Sequence, residues 1–401
     1  MFTPLIFLVL LTLLIEGAPL GEGPLPSFYW VIQWLSIYVI FLFYVVKRNQ
    51  FIKKRTDEFK LTLSQVDLCI FFACSLFIHY GAFFLQDITP TTLRALIVYP
   101  LYFLGLGIVK YNLSSLQAMK RLLFFLSPYT LFFFLISVSY DVAAYLLPDE
   151  SWLEWVPLLL LAVVATLSFP LVAKLFWQLK KIEDPQIQAR FDTLAKRAGL
   201  TTLETYTWPV LSHHTTAATI GLTPKRALFL FTEPLLKLMN VDELEAILAH
   251  EIGHLKKRHL PLMALILLTA AFCISLLASL FPLSNFLQVL LFAASYALFF
   301  RFGFGFLLRL FERQADLYVL RLGVPGEALI SALDSVAKRG GNTHRKKSWT
   351  HYSIQERIDF LKKAIQNPQE IDRIDQKVKS ALTLYFLISI IALAWILYKI
   401  L

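Results

Sequence analysis

Leu248-Ala249-His250-Glu251-Ile252-Gly253-His254 reads His-Glu-x-x-His. On an α-helix, two histidines four apart leave the same face one turn above each other, so their imidazoles can share one small cation. Glu251 projects about 100° further round the axis. There it flanks the ion without binding it, where a general base for an ion-activated water belongs. The competing reading of the same residues is a helix whose two histidines are packed or solvated separately.

The flanks specify the helix. Asn240 can cap it, with Glu243 at the third helical position as in a capping box. Leu244, Ile247, Leu248, Ile252 and Leu255 form an apolar stripe. Asp242 and Glu243 suit the positive end of the macrodipole, and Lys256, Lys257 and Arg258 suit the negative end. The expected helix runs from about 241 to 259, with the motif in its second half.

The chain around it belongs in a bilayer. Of 401 residues, 57% are hydrophobic and only 16% charged, with mean hydropathy +0.62. A soluble domain is nearer a quarter charged. Apolar spans are expected at about 28–46, 66–85, 94–110, 122–147, 152–178, 260–281, 285–308 and 380–399, and the shorter run 4–15 makes a ninth segment. With 47–65 inside, carrying Lys47, Arg48, Lys53, Lys54, Arg55 and Lys60, only Arg94 and Lys399 of the 38 basic residues fall outside. That follows the positive-inside rule and places the motif on the cytoplasmic side. The net charge of +10 is thereby explained by cytoplasmic loops, and no nucleic-acid partner is expected. Cys69, Cys74 and Cys273 lie in apolar segments without metal-ligand spacing.

Two polar stretches flank the hairpin at about 260–308. In the first, Asp184 caps a helix that has Pro185 at its first position and Gly199 at its end. Two β-like runs follow at about 214–221 and 226–231. The second stretch is mostly helical, with a basic loop from Lys338 to Lys347 and a helix capped by Ser353 and Glu356. The expected fold is mainly α and polytopic, with eight or nine transmembrane helices and a cytoplasmic catalytic domain holding a small β-hairpin or sheet. Its parts are an N-terminal membrane region at 1–178, the catalytic domain at 179–379 interrupted by the hairpin, and a C-terminal span at 380–401.

A catalytic zinc takes three protein ligands and water. A third histidine six residues beyond His254 is excluded, because that position is Leu260. Phe311-Glu312-Arg313-Gln314-Ala315-Asp316 offers a glutamate instead. Glu312 and Asp316 share a helical face, so Glu312 can ligate while Asp316 accepts a hydrogen bond from a ligand histidine. The alternative is a surface helix whose acids pair with Arg309 and Arg313.

Ala249-His250-Glu251-Ile252-Gly253-His254 followed by Phe311-Glu312-Arg313-Gln314-Ala315-Asp316 resembles the gluzincin-type membrane zinc metallopeptidases that include the CAAX prenyl proteases and the HtpX proteases. The resemblance covers roughly 180–365. It implies that His250, His254 and Glu312 bind one Zn²⁺ and that Glu251 is the general base. Thr350-His351-Tyr352-Ser353-Ile354-Gln355-Glu356-Arg357-Ile358 is similar to the family's C-terminal segment, although Tyr352 stands where a proline is usual. That likeness makes His351 and Arg357 catalytic candidates that steady the transition state. Read alone, His351 is a solvated loop histidine and Arg357 pairs with Glu356 or Asp359. His214 to Gly221 resembles the family's substrate-pairing edge strand, with Thr216, Ala217 and Ala218 as substrate contacts and Thr216 in place of asparagine.

The resemblance implies a zinc-dependent endopeptidase that cuts cytosol-facing bonds of membrane-associated or lipidated proteins, with the bilayer and a peptide substrate as its partners. A membrane sensor-transducer with a signalling protease domain, and a transporter, are the alternatives.

Overall fold

The computed structural model describes residues 155–279 and 294–400, apart from 212, 213, 347 and 349, together with Leu291 and isolated positions between 124 and 142. The expected segments at 4–15, 28–46, 66–85 and 94–110, with Cys69 and Cys74, lie outside the described residues. So do most of the span at 122–147 and the first part of that at 285–308. The chain divides into two units, Met1–Trp177 and Gln178–Leu401. In the first, α1 (Trp155–Phe176) contains Pro170. After it, the Trp177 indole donates to the Phe125 carbonyl at 3.0 Å and stacks on that ring.

The second unit opens with a sheet of order β1-β2-β4-β3. β1 (Lys180–Lys181) leads into α2 (Pro185–Arg197), where the Asp184 carboxylate accepts from the Gln186 and Ile187 amides. Gly199, at φ +60°, ends that helix in a left-handed turn that glycine adopts without a Cβ clash. β2 (Thr205–Thr207) runs antiparallel to β1. β3 (Ala217–Ile220) and β4 (Leu228–Phe231) form an antiparallel pair, and β4 is also parallel to β2. All four β4 side chains are buried, as the continuously apolar run requires. Each strand is shorter than the expected run. Pro224–Arg226 forms a 3₁₀ turn, and Gly221 at φ +108° turns the chain out of β3.

α3 (Glu233–Leu238) leads to α4 (Val241–Lys256), which carries the motif. Asn240 accepts from the Glu243 amide and the Glu243 carboxylate accepts from the Asn240 amide, the reciprocal cap expected from sequence. Leu244, Leu248, Ile252 and Leu255 enter one core with Phe191 and Leu194 of α2 and with Phe229 and Phe231 of β4. α4 stops three residues short of the expected 259. Arg258 adopts φ +55°, and α5 (His259–Ser279) restarts with its axis turned by 46°.

α6 (Gly305–Arg321) follows a π-helical turn at Phe299–Phe304. α7 (Gly326–Arg339) closes the core through Leu329 and Leu333. α8 (Ile354–Gln366) has the expected Ser353–Glu356 capping box. α9 (Gln369–Ile400) is one unbroken helix packed against α5 and α6. Among the described residues, Ala294–Arg321 and Gln369–Trp395 are long and apolar enough to cross a membrane, and the bent α4–α5 pair would make a third. The expected count of eight or nine is not reached among them, because most of the other expected spans lie outside the described residues. Leu384, Leu387, Ile388 and Ile391 of α9 point outward, the pattern of a helix facing lipid.

α4 and α6 pack closely against each other. A Cβ added to Gly253 would sit 2.9 Å from Tyr318 Cβ and 3.1 Å from Ala315 Cα. Alanine would gain up to about 1 kcal/mol of helix propensity. Overpacking costs about 1–3 kcal/mol, and here one neighbour is backbone that cannot rotate away. Gly253→Ala is therefore expected to lower stability on balance, seen as an earlier unfolding midpoint in detergent. An unchanged or later midpoint would refute the tight packing.

Candidate metal centre

α4 and α6 cross where Gly253 meets Ala315, one residue from His254 and three from Glu312. Their close approach brings the donors together. His250 Nε2 and His254 Nε2 are 3.2 Å apart. Glu312 Oε2 lies 3.9 Å from His250 Nε2, and Glu312 Oε1 lies 3.6 Å from His254 Nε2. One donor atom from each residue falls within 4.8 Å of the others. Tetrahedral N and O ligands about 2.1 Å from zinc stand roughly 3.4 Å apart, so the triangle has the size of three ligands of one ion. Two imidazole nitrogens facing each other at this distance, next to a carboxylate in a mostly buried site, call for a shared cation or proton. The donor set fits Zn²⁺.

Asp316 stands behind the first histidine. Its Oδ1 is 2.9 Å from His250 Nδ1, short enough for a hydrogen bond but off the ring N–H axis. Arg357 of α8 grips the same carboxylate twice, Nε donating to Oδ2 at 2.9 Å and Nη2 to Oδ1 at 2.6 Å. Burial alone would lower the pKa of the Arg357 guanidinium, but Asp316 and Glu312 outweigh it and push it up, so the group stays charged. Arg357 thus pairs with Asp316. Glu356 serves the cap of α8, and Asp359 accepts from Gln355.

Arg313 follows the same logic. It does not pair with the acids of α6; its guanidinium lies 3.9 Å from the centre of the Tyr352 ring and 4.6 Å from that of Phe360. Tyr352, where the resembled segment has proline, thereby docks the loop before α8 onto α6. His351 is half exposed, with Nδ1 3.3 Å from Glu312 Oε2. Arg357 Nη1 approaches the same oxygen at 3.8 Å.

Glu251 contacts the sheet. Its carboxylate accepts from the Thr219 hydroxyl at 2.8 Å. Thr219 belongs to β3, which pairs only with β4 among the described residues. Ala217 and Ala218 are on the same strand, opposite Phe231 and Leu230. Thr216 just precedes them, its amide donating to the Thr232 hydroxyl, which donates back to the Thr216 carbonyl. The substrate-strand candidates and the base candidate are thus joined through one side chain.

Thr219 and His259 are contacts that sequence reading missed. Thr219 is one of several threonines in a β-run, and nothing local singles it out. His259 is fully buried, with Nδ1 3.0 Å from His254 Nδ1. On a continuous helix, residues five apart diverge by about 140°. Only the break at Arg258 brings them together.

The stretch that carries these residues is similar to known proteins. Residues 181–365 match the model of peptidase family M48. A protease HtpX homolog of Thermococcus kodakarensis is 40% identical over 76 residues, 19% of this chain and 26% of that protein. The homolog of Pelotomaculum thermopropionicum is 33% identical over 128 residues, 32% of this chain and 38% of that protein. In these matches the chain spans between about a quarter and two-fifths of the relatives' length. The crystal structure of S. mikatae Ste24p shares the fold, with a TM-score of 0.51 and 18% identity over 85% of this chain and all of that one.

Removing one candidate ligand should weaken the ion site. Glu312→Ala is expected to weaken zinc binding by more than the roughly 10–100-fold that loss of an outer partner costs. Metal analysis after dialysis against a chelator would measure it. Retention of one zinc per chain would rule out Glu312 as a ligand.

Proposed function

We propose, from a chain whose residues 181–365 match the model of peptidase family M48, a zinc-dependent endopeptidase that works at a membrane surface. One observation carries this reading. Three donors at ligand spacing stand beside a separate carboxylate, Glu251, which an edge strand holds through Thr219. A structural ion site needs no such carboxylate, whereas hydrolysis does.

Zinc held by His250, His254 and Glu312 supplies a Lewis acid and acidifies water when bound. Every other part of the chemistry falls to the protein. Glu251 takes the proton from water and passes it to the leaving amine. The Thr219 hydroxyl keeps that carboxylate aimed through both transfers. The edge of β3 that is unpaired among the described residues, with Thr216, Ala217 and Ala218, pairs with extended substrate backbone by strand addition, and the Thr219 contact places the scissile bond next to Glu251. His351 is exposed enough to reach substrate and donates to the oxyanion. Arg357 acts one step further back, holding Asp316 against His250.

Substrates on this reading are cytosol-facing segments of membrane-associated or lipidated proteins. The basic loops support the cytosolic side. The apolar α6 and α9 support a site tied to the bilayer. Prenylated chain ends and damaged membrane proteins both meet this description.

Glu251→Gln is expected to keep zinc and lose cleavage of a membrane-tethered peptide by roughly 10²-fold or more. Cleavage at the wild-type rate would sink the mechanism. Thr219→Val should cut the rate less and leave zinc affinity unchanged, because it aims the base and not the ion. A Thr219→Val protein that lost zinc would contradict that division of roles.

A further inference from the structure

His254 has a supporting chain of its own, built from residues outside the motif. His259 Nδ1 faces His254 Nδ1 at 3.0 Å. On its far side, His259 Nε2 lies 2.8 Å from Gln314 Oε1. The Gln314 amide donates to Asp375 Oδ1 at 2.5 Å. Asp375 Oδ2 in turn meets Lys257 Nζ at 2.7 Å and Arg321 Nη2 at 3.0 Å. The chain draws on α4, α5, α6 and α9.

One proton assignment satisfies every link. His254 offers Nε2 toward Glu312 and His250, so its proton is on Nδ1. That N–H donates to His259 Nδ1, which must be the bare nitrogen. His259 then carries its proton on Nε2 and donates to the Gln314 carbonyl oxygen. The Gln314 amide is left to donate to Asp375, a carboxylate held ionised by two cations. Each donor meets an acceptor, and reversing any link would set two donors or two acceptors face to face.

The ring of His259 cannot turn to escape this role. It is fully buried and stacks on Phe311, centroid to centroid 4.4 Å with planes 12° apart. Its place depends on the left-handed backbone at Arg258, a conformation that non-glycine residues seldom adopt.

We propose that His259 is a positioning residue for His254. It fixes the tautomer and ring orientation in which Nε2 faces the ion, with Gln314 and Asp375 as the relay that fixes His259 itself. Asp316 serves His250 directly, whereas His254 is served through three residues. The inference rests on the zinc-site reading above and adds residues that the motif does not contain.

The test uses the full chain purified in detergent. Zinc affinity is read by competition with a chromophoric chelator, and ligand geometry by the visible absorption of the cobalt-substituted protein. His259→Leu keeps an apolar body against Phe311 and removes the acceptor. It should weaken zinc roughly 10–100-fold and shift the cobalt bands. Gln314→Leu should weaken zinc by a smaller factor, and adding it to His259→Leu should cost nothing more. His259→Asn, which can restore an acceptor, should recover part of the affinity. If His259→Leu does not fold, Gln314→Leu and His259→Asn carry the same test. Wild-type zinc affinity and an unshifted cobalt spectrum in these variants would overturn the proposal. If the unaltered chain binds no zinc, it is the metal-site reading that fails.

Discussion

The site depends on how closely α4 and α6 can approach. A glycine in the motif helix faces an alanine of α6, and a single added Cβ at Gly253 would fall inside contact distance of Ala315 and Tyr318. Interiors are packed too densely to absorb that without a shift of the backbone. The separation of these two helices sets the distance from the histidines to Glu312, and so the size of the ion that fits. Gly253 thus has a spatial reason beside two chemical residues, Glu251 and His254.

Around that crossing, charge is arranged so that no member of the candidate ligand set stands alone. His250 has Asp316, which is gripped by Arg357. His254 has His259, and beyond it Gln314 and Asp375 with two cations. Glu312 has His351 and Arg357 near one oxygen. A buried ionised group without partners costs several kcal/mol, so these pairings are what allow acids to sit on a helix that also continues as an apolar rod. They further hold each ring in one orientation, the property a rigid ligand set needs.

The opposite wall of the site has a different task. β3 is the last strand of its sheet among the described residues and reaches Glu251 through one hydroxyl. An edge strand can accept an extended chain, and the base beside it needs only a fixed aim. On the proposed reading the division is physical: the helices would set the ion, and the strand would set the substrate and the proton acceptor.

Much of this was legible in local sequence. The caps at Asn240, Asp184 and Ser353, the turn at Gly199, the buried β4 and the His-Glu-x-x-His helix all depend on residues a few positions apart, and short-range hydrogen bonding and periodicity decide such features. The sequence also put Glu312 and Asp316 on one helical face. It did not determine that Arg357 would choose Asp316 over its neighbours Glu356 and Asp359, or that Arg313 would stack on Tyr352 and Phe360. Nor did it place His259 against His254, since helical geometry alone turns residues five apart away from each other. Those outcomes needed the break at Arg258 and the packing of α4, α6, α8 and α9. Contacts between residues some 40 to 60 positions apart, as here, are set by which helices meet and how closely, and only the folded chain decides that.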